Sequence, residues 1–248
     1  MPAERPTSTP LSLRERRRAA AVREILDAAE EHIALNGPAA LSLRAVARSL
    51  GMTVQALYHY FPNRDALVTA LVAKAYDDLA DALQVTADAV DEEAVDETPS
   101  LARLLVVAGA YRDWGITHPE RFQLLYGTPL RYYAAPAEGP TTRAVRRMGA
   151  IFQRELFSGF TAAQLAAADV PPLSASFREH LALLPANAQG DLPPAAASLF
   201  FGAWGHLHGL VVLEVFGHTG FLGEHQAEVF GSSVRMMVED IHRRIPAA

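Results

Sequence analysis

Residues 47–62 set hydrogen-bonding groups along one side of a short helix. Gln55, Tyr58, His59 and Pro62 fall at i, i+3, i+4 and i+7, so an amide, a phenol and an imidazole share a face without a carboxylate. Such groups meet base edges or phosphate oxygens, whereas an acid among them would repel a polyanion. The opposite face carries Leu57, Tyr60 and Phe61, a set for burial. Ala47 is small where a second helix would cross close above it. Gly51 lets the backbone leave the first helix with positive φ. Together these spacings describe a helix-turn-helix over Leu43 to Pro62, with a second helix of a kind that fits a major groove. A plain helical hairpin with a polar exterior shares the Ala-x-x-x-Gly pattern, so charge has to separate the two.

Charge does favour an anionic partner at one end. Residues 1–74 hold ten basic and seven acidic side chains, and residues 75–248 hold twelve and twenty-one. The overall −6 therefore hides a basic N-terminal third, with Arg14, Arg16, Arg17 and Arg18 at its start. Lys74 is the only lysine, which we read as GC-rich codon usage and not as chemistry.

Other chemistries are poorly represented. The chain has no Cys, which excludes disulfides, Cys-ligated zinc and thiol nucleophiles. It has no Gly-rich phosphate loop, no His-Glu-x-x-His and no Ser-centred nucleophile elbow, so an enzyme is not indicated and no cofactor is called for. His206-x-His208 points two imidazoles to different sides of a helix and makes a poor metal pair. No uncharged apolar run reaches the roughly 18–20 residues of a membrane span; the longest candidate, Ala195–Phe216, contains His206, His208 and Glu214. No secretory signal opens the chain. We expect a cytoplasmic protein with no membrane partner.

The positioning elements are helical throughout, and the class is all-α. Val22, Ile25, Leu26, Ala29 and Ile33 define a helix from about Arg14 to Leu35, stopped by Asn36-Gly37-Pro38. Ser42 and Thr53 cap the two short helices, the second running through Tyr60. Pro62-Asn63 opens a longer helix, about Arg64 to Thr86. Further helices are expected over Ser100–Thr117, Glu120–Tyr126, Thr141–Phe160, Ala195–Phe216 and Glu224–Arg244. Residues 1–12 and the acidic block 88–97 read as a disordered arm and a solvated loop.

The stretch from Leu41 to Leu67 resembles the DNA-binding domain of TetR-type transcriptional regulators. The run Leu57-Tyr58-x-x-Phe61-x-x-Arg64-x-x-Leu67 is a specific signature of it, and the likeness extends over about Arg17–Lys74. It implies a homodimer on a double-stranded DNA operator. Each subunit would have nine or ten helices: a three-helix head with the helix-turn-helix, and a larger helical ligand-binding and dimerisation domain. The implied division is an arm at 1–13, the head at 14–74 and the second domain at 75–248. Carried over, Val54, Gln55, Ala56 and His59 are base-side candidates and Tyr58 a phosphate contact. Ser42 and Thr53 would cap helices and donate to phosphates. Arg44 and Arg64 would clamp phosphates, and Arg17 and Arg18 belong to the basic arm. Val54-Gln55-Ala56 departs from the basic or small polar residues many relatives have there, leaving one amide and apolar contact with thymine methyls.

The second domain carries Trp204, His208 and Gly209, similar to a Trp…His-Gly motif of one TetR subgroup. Trp204 and His208, at i and i+4, share a face. Tyr111, Trp114, Phe122, Tyr126, Phe152, Trp204 and His208 are candidates to line a pocket for a small-molecule effector, or else pack as core aromatics. Arg143, Arg146 and Arg147 offer cations to an anionic ligand or, more plainly, form a solvated helix face. Gly202, Gly205 and Gly209 would permit close helix approach. Ala195–Phe216 and Glu224–Arg244 are expected to form the dimer's four-helix bundle.

The resulting expectation is a repressor whose two recognition helices enter major grooves about 34–36 Å apart. A ligand releases it by preferring a conformer in which the Arg64–Thr86 helix has swung. The alternative is a small-molecule sensor acting through a protein partner, with a vestigial head.

Overall fold

The computed structural model describes residues 12–90, 99–127, 138–183 and 191–247. Among them are eleven α-helices and no strand: α1 (Leu13–Asn36), α2 (Leu43–Ser49), α3 (Val54–Tyr58), α4 (Arg64–Asp88), α5 (Pro99–Thr117), α6 (Pro119–Tyr126), α7 (Pro140–Phe157), α8 (Ala162–Ala166), α9 (Ala175–Ala182), α10 (Pro194–Val215) and α11 (Gln226–Arg244). The chain forms two compact units, divided between Leu71 and Val72. Residues 1–11 of the expected arm and 91–97 of the acidic block 88–97 lie outside the described residues; Ser12 caps α1, and Asp88 is the last residue of α4.

In the first unit, local chemistry sets each boundary. Ser12 and Glu15 form a capping box at the start of α1, so Arg14–Arg18 lie in the opening turns of a helix and not in an extended arm. Gly37, at φ 76°, ends α1. Ser42 Oγ accepts from the Ala45 amide at 3.1 Å, and Thr53 Oγ1 from the Ala56 amide at 3.1 Å. Asn63 Oδ1 accepts from the Ala66 amide at 2.8 Å and starts α4. Gly51 takes φ 64° between α2 and α3. The core is aliphatic: Ile25, Ala29, Val46, Ala47, Leu57 and Leu67 are buried.

The second unit is built around α5, which packs against α6, α7, α10 and α11. Arg112 of α5 grips Glu214 of α10 with two donors, its Nε at 2.7 Å from Oε2. On length and composition α10 is apolar enough to cross a membrane, with a mean hydropathy of 1.4. Here it packs on α5, α8, α9 and α11.

Two short helices, α8 and α9, are not among the segments expected to be helical. Thr161 and Gln164 make a capping box for α8, and Ser174 caps α9. Both are too short for an apolar repeat to show. The helix expected to reach Phe160 ends at Phe157 because Ser158 is extended and Gly159 has φ 86°.

Candidate DNA interface and interior polar cluster

In the helix-turn-helix, α2 and α3 pack on each other, and Ala47 and Leu57 are both essentially inaccessible. That packing turns the other side of α3 outward: Gln55, Tyr58, His59 and Pro62 are exposed, and Val54 and Ala56 are half-buried at its start. The expected burial of Leu57 and Phe61 is found, whereas Tyr60 is only half-buried because α3 ends at Tyr58. Ser42 and Thr53 use a lone pair for the cap, which leaves each O–H as a donor. Arg17 and Arg44 are exposed.

Two arginines have internal work. The Arg18 guanidinium donates to the His59 carbonyl at 3.4 Å and lies 5.3 Å over the Tyr60 ring. Arg18 therefore ties α1 to the end of α3. Arg64 Nε donates to the Leu41 carbonyl at 3.0 Å, fixing the start of α4 against the entry to α2. Its terminal nitrogens have no protein partner among the described residues. Neither contact leaves a sequence signal, since both acceptors are backbone carbonyls. The whole segment between Glu31 and Asp65 contains no acidic residue.

In the second unit, six of the seven aromatic candidates form one cluster. Trp204 and His208 stack with centroids 5.2 Å apart. Tyr111 lies 5.5 Å from Trp204, 5.7 Å from Phe152 and 6.1 Å from Phe122. Tyr126 is 4.9 Å from Phe122 and 4.4 Å from His208. Trp114 instead pairs with His118. Tyr76 of α4, not among the candidates, joins the cluster edge-on to Tyr126.

The cluster holds an internal polar contact. Burial raises the Tyr111 phenol and lowers the His208 imidazole, so both groups are neutral, and the Tyr111 hydroxyl and His208 Nδ1 share a hydrogen bond of 2.7 Å. Burial likewise raises Tyr126 and Tyr76, and the Tyr126 hydroxyl reaches Met148 Sδ at 3.6 Å. The cavity bordered by Phe152 and Trp204 measures about 20 Å³, room for roughly one water. A second buried polar centre is Glu155, 2.9 Å from Arg103 Nε and 2.7 Å from Arg154 Nε. Burial alone would raise its carboxyl, but hydrogen bonds and charge from the two arginines hold it low.

His206 points away from this cluster and pairs with Ser233 at 2.9 Å. No group of metal-ligating side chains occurs among the described residues. The close approach expected at Gly202, Gly205 and Gly209 is not made within the chain: a Cβ at any of them would meet nothing within 4 Å. Gly202 and Gly205 are exposed and Gly209 is half-buried. Gly115 is the tight position: a Cβ there would lie 3.0 Å from Phe122 and 3.2 Å from Val211.

A capped helix-turn-helix with an acid-free outer face, joined to a larger helical unit with an aromatic interior, has the parts of a DNA-binding regulator. Residues 25–71 match the family described as bacterial regulatory proteins, tetR family, and residues 104–237 match the tetracyclin repressor-like C-terminal domain. An HTH-type transcriptional regulator of Mycobacterium tuberculosis, Rv1816, is 32% identical over 219 residues, covering 87% of this chain and 89% of the relative. The crystal structure of regulatory protein SCO4313 superposes with a TM-score of 0.69 at 31% identity, covering 93% of this chain and 100% of that one. RolR in complex with resorcinol has the same fold at 13% identity, with a TM-score of 0.51 and 94% and 98% coverage. The chain belongs to the TetR family of transcriptional regulators and is a DNA-binding regulator, not an enzyme.

Proposed function

We propose that the chain is a dimeric repressor in the cytoplasm that a small molecule releases from a palindromic operator. The outer face of α3 carries this reading: Gln55, Tyr58 and His59 are exposed together in a segment without acidic side chains. Gln55 and His59 reach base edges, and Val54 and Ala56 offer apolar contact to thymine methyls. Tyr58, Ser42, Thr53, Arg44 and Arg17 hold phosphates and set the register. Arg18 and Arg64 position the recognition helix as well as adding positive charge.

Support for the dimer comes from α10. It is almost wholly apolar, yet its own subunit buries only about a third of it. Phe201 and Leu213, with Met236 of α11, are exposed large apolar side chains beside the open glycine positions. A helix that is apolar all round needs covering on all sides. A second copy placing α10 and α11 against these two would supply that cover as a four-helix bundle.

The six-ring cluster is the candidate seat of the effector, with Tyr111 and His208 as its polar handles. RolR, a neighbour in fold, is known in complex with resorcinol, which supports a small molecule as the effector. Entry here requires the rings to part, since the present space suits one water. Release then follows from the ligand's preference for the parted form: a coupling of about 1–3 kcal/mol weakens operator binding roughly 5–150-fold.

The test is selection of duplexes from a random pool, followed by gel shift. Wild type should enrich an inverted repeat. The double variant Gln55→Ala, Tyr58→Ala should lose sequence preference and at least about tenfold in affinity while melting normally. Enrichment of the same repeat by that variant would remove α3 from the reading. Failure of wild type to retain any duplex would leave the sensor with a vestigial head.

A further inference from the structure

A large cleft in the second unit lies outside the aromatic cluster. It measures about 820 Å³, within the range of small-molecule sites, and runs along one face of α7 opposite α8 and residues 191–193. Four arginines of α7 border it: Arg143, Arg146, Arg147 and Arg154. At the other end Phe157, Leu165 and Leu192 form an apolar floor, and Asp191 is the single acid on its wall. From Arg143 to Phe157 the helix rises about 21 Å. Arg143, Arg146 and Arg147 therefore lie at one end of the cleft, and the apolar side chains at the other, where Arg154 is within a turn of Phe157.

The four cations are not equally available. Arg154 is committed to buried Glu155. Arg146 pairs with Glu138, whose side chain is 69% exposed. Arg147 pairs with Asp77 and Asp81 of α4, both more than half exposed. Arg143 has no ion-pair partner among the described residues. Exposed pairs of this sort contribute about 0–1 kcal/mol each and exchange readily for another anion. Arg147, and Arg154 through Gln84 at 3.3 Å, also link the cleft face of α7 to α4, the helix that begins at Arg64.

We propose that this cleft binds an amphipathic anion, an apolar chain ending in a carboxylate or a phosphate. The head group sits on Arg143, Arg146 and Arg147, and the chain lies along Ala150 toward Phe157, Leu165 and Leu192. In taking Arg147 the head group displaces Asp77 and Asp81, which loosens the link between α7 and α4. The site is separate from the aromatic cluster; its effect on DNA binding rests on the repressor reading above.

The experiment titrates the full-length protein with laurate and with dodecyl phosphate, below micelle formation, by calorimetry. Inorganic phosphate and octan-1-ol serve as head-only and tail-only probes. We expect at least one amphiphile to bind below about 1 mM and both half-ligands to bind at least about tenfold more weakly. Which amphiphile binds identifies the head group. Arg143→Glu, an exposed substitution, should weaken binding at least about tenfold without moving the melting temperature. Equal binding by Arg143→Glu, or no binding of either amphiphile to wild type, overturns the site. The same amphiphile should weaken retention of the selected duplex severalfold, and Arg147→Gln should weaken it with no ligand added. Binding without any change in duplex retention overturns the coupling to α4. Duplex retention by wild type in the absence of amphiphile tests the repressor reading alone, so the two can fail separately.

Discussion

The two units of this regulator deploy polar side chains in opposite ways. In residues 12–71 the core is aliphatic, and the phenol of Tyr58, the imidazole of His59 and most arginines face outward. In the second unit Tyr111 and Glu155 are almost inaccessible, and His208 is packed between Trp204 and Tyr126. The head can thus change what it reads without changing what holds it together. The second unit cannot, because its distinctive groups are also part of its packing.

A core truncation should expose this contrast most strongly. Phe122 is fully buried and touches Tyr111, Tyr126, His208 and Phe216. Phe122→Ala should destabilise the protein by about 3–5 kcal/mol in urea denaturation. Tyr58→Ala, on the head surface, should stay within about 0.5 kcal/mol of wild type. Comparable losses for the two variants would erase the distinction.

Acid should separate them more gently. The His208 pKa is lowered by burial, so its contribution to stability is intact above the ordinary value of 6.5 and declines as pH falls below it. The Glu155 pKa is lowered by its arginines despite burial, so its contribution is intact above 4.5 and is lost as pH falls through the lower folded value. Melting temperature against pH should therefore drop in two steps. His208→Gln should abolish the upper step and Glu155→Gln the lower. A profile that ignores both substitutions would place the acid sensitivity elsewhere.

The same contrast decides how much the sequence revealed. In the head, short-range chemistry fixes the structure: Ser42, Thr53 and Asn63 cap where their spacing says, and Gly51 turns where its position says. The exposed face of α3 is legible for that reason. Arg18 and Arg64 are less so, because a carbonyl partner 41 or 23 residues away leaves no mark in side-chain pattern. In the second unit the aromatic residues come together largely as expected, but Tyr76 and Glu155 enter from α4 and α7 through long-range packing. The glycines of α10 signal close approach by their spacing, and among the described residues of one chain nothing approaches them, so their reading depends on a partner copy. The arginines of α7 read as a solvated face, because the opposing wall at α8 and residues 191–193 is supplied by tertiary structure.

The smallest effect should come from a single phosphate contact. Arg44 is exposed near the start of α2, beside the Ser42 cap, and makes no ion pair among the described residues. On the repressor reading it neutralises one phosphate and releases about one condensed counterion. Arg44→Ala should weaken binding to specific and random duplexes alike and flatten the plot of log affinity against log salt by about one unit. Base preference should persist, since Gln55 and His59 are unchanged, and the melting temperature should hold because no internal partner is lost. An unaltered slope would mean that Arg44 lies off the DNA and that the phosphate register is set from α1 and α3 instead. A changed base preference with an unaltered slope would move Arg44 into the groove, and with it the orientation of α2 on the duplex.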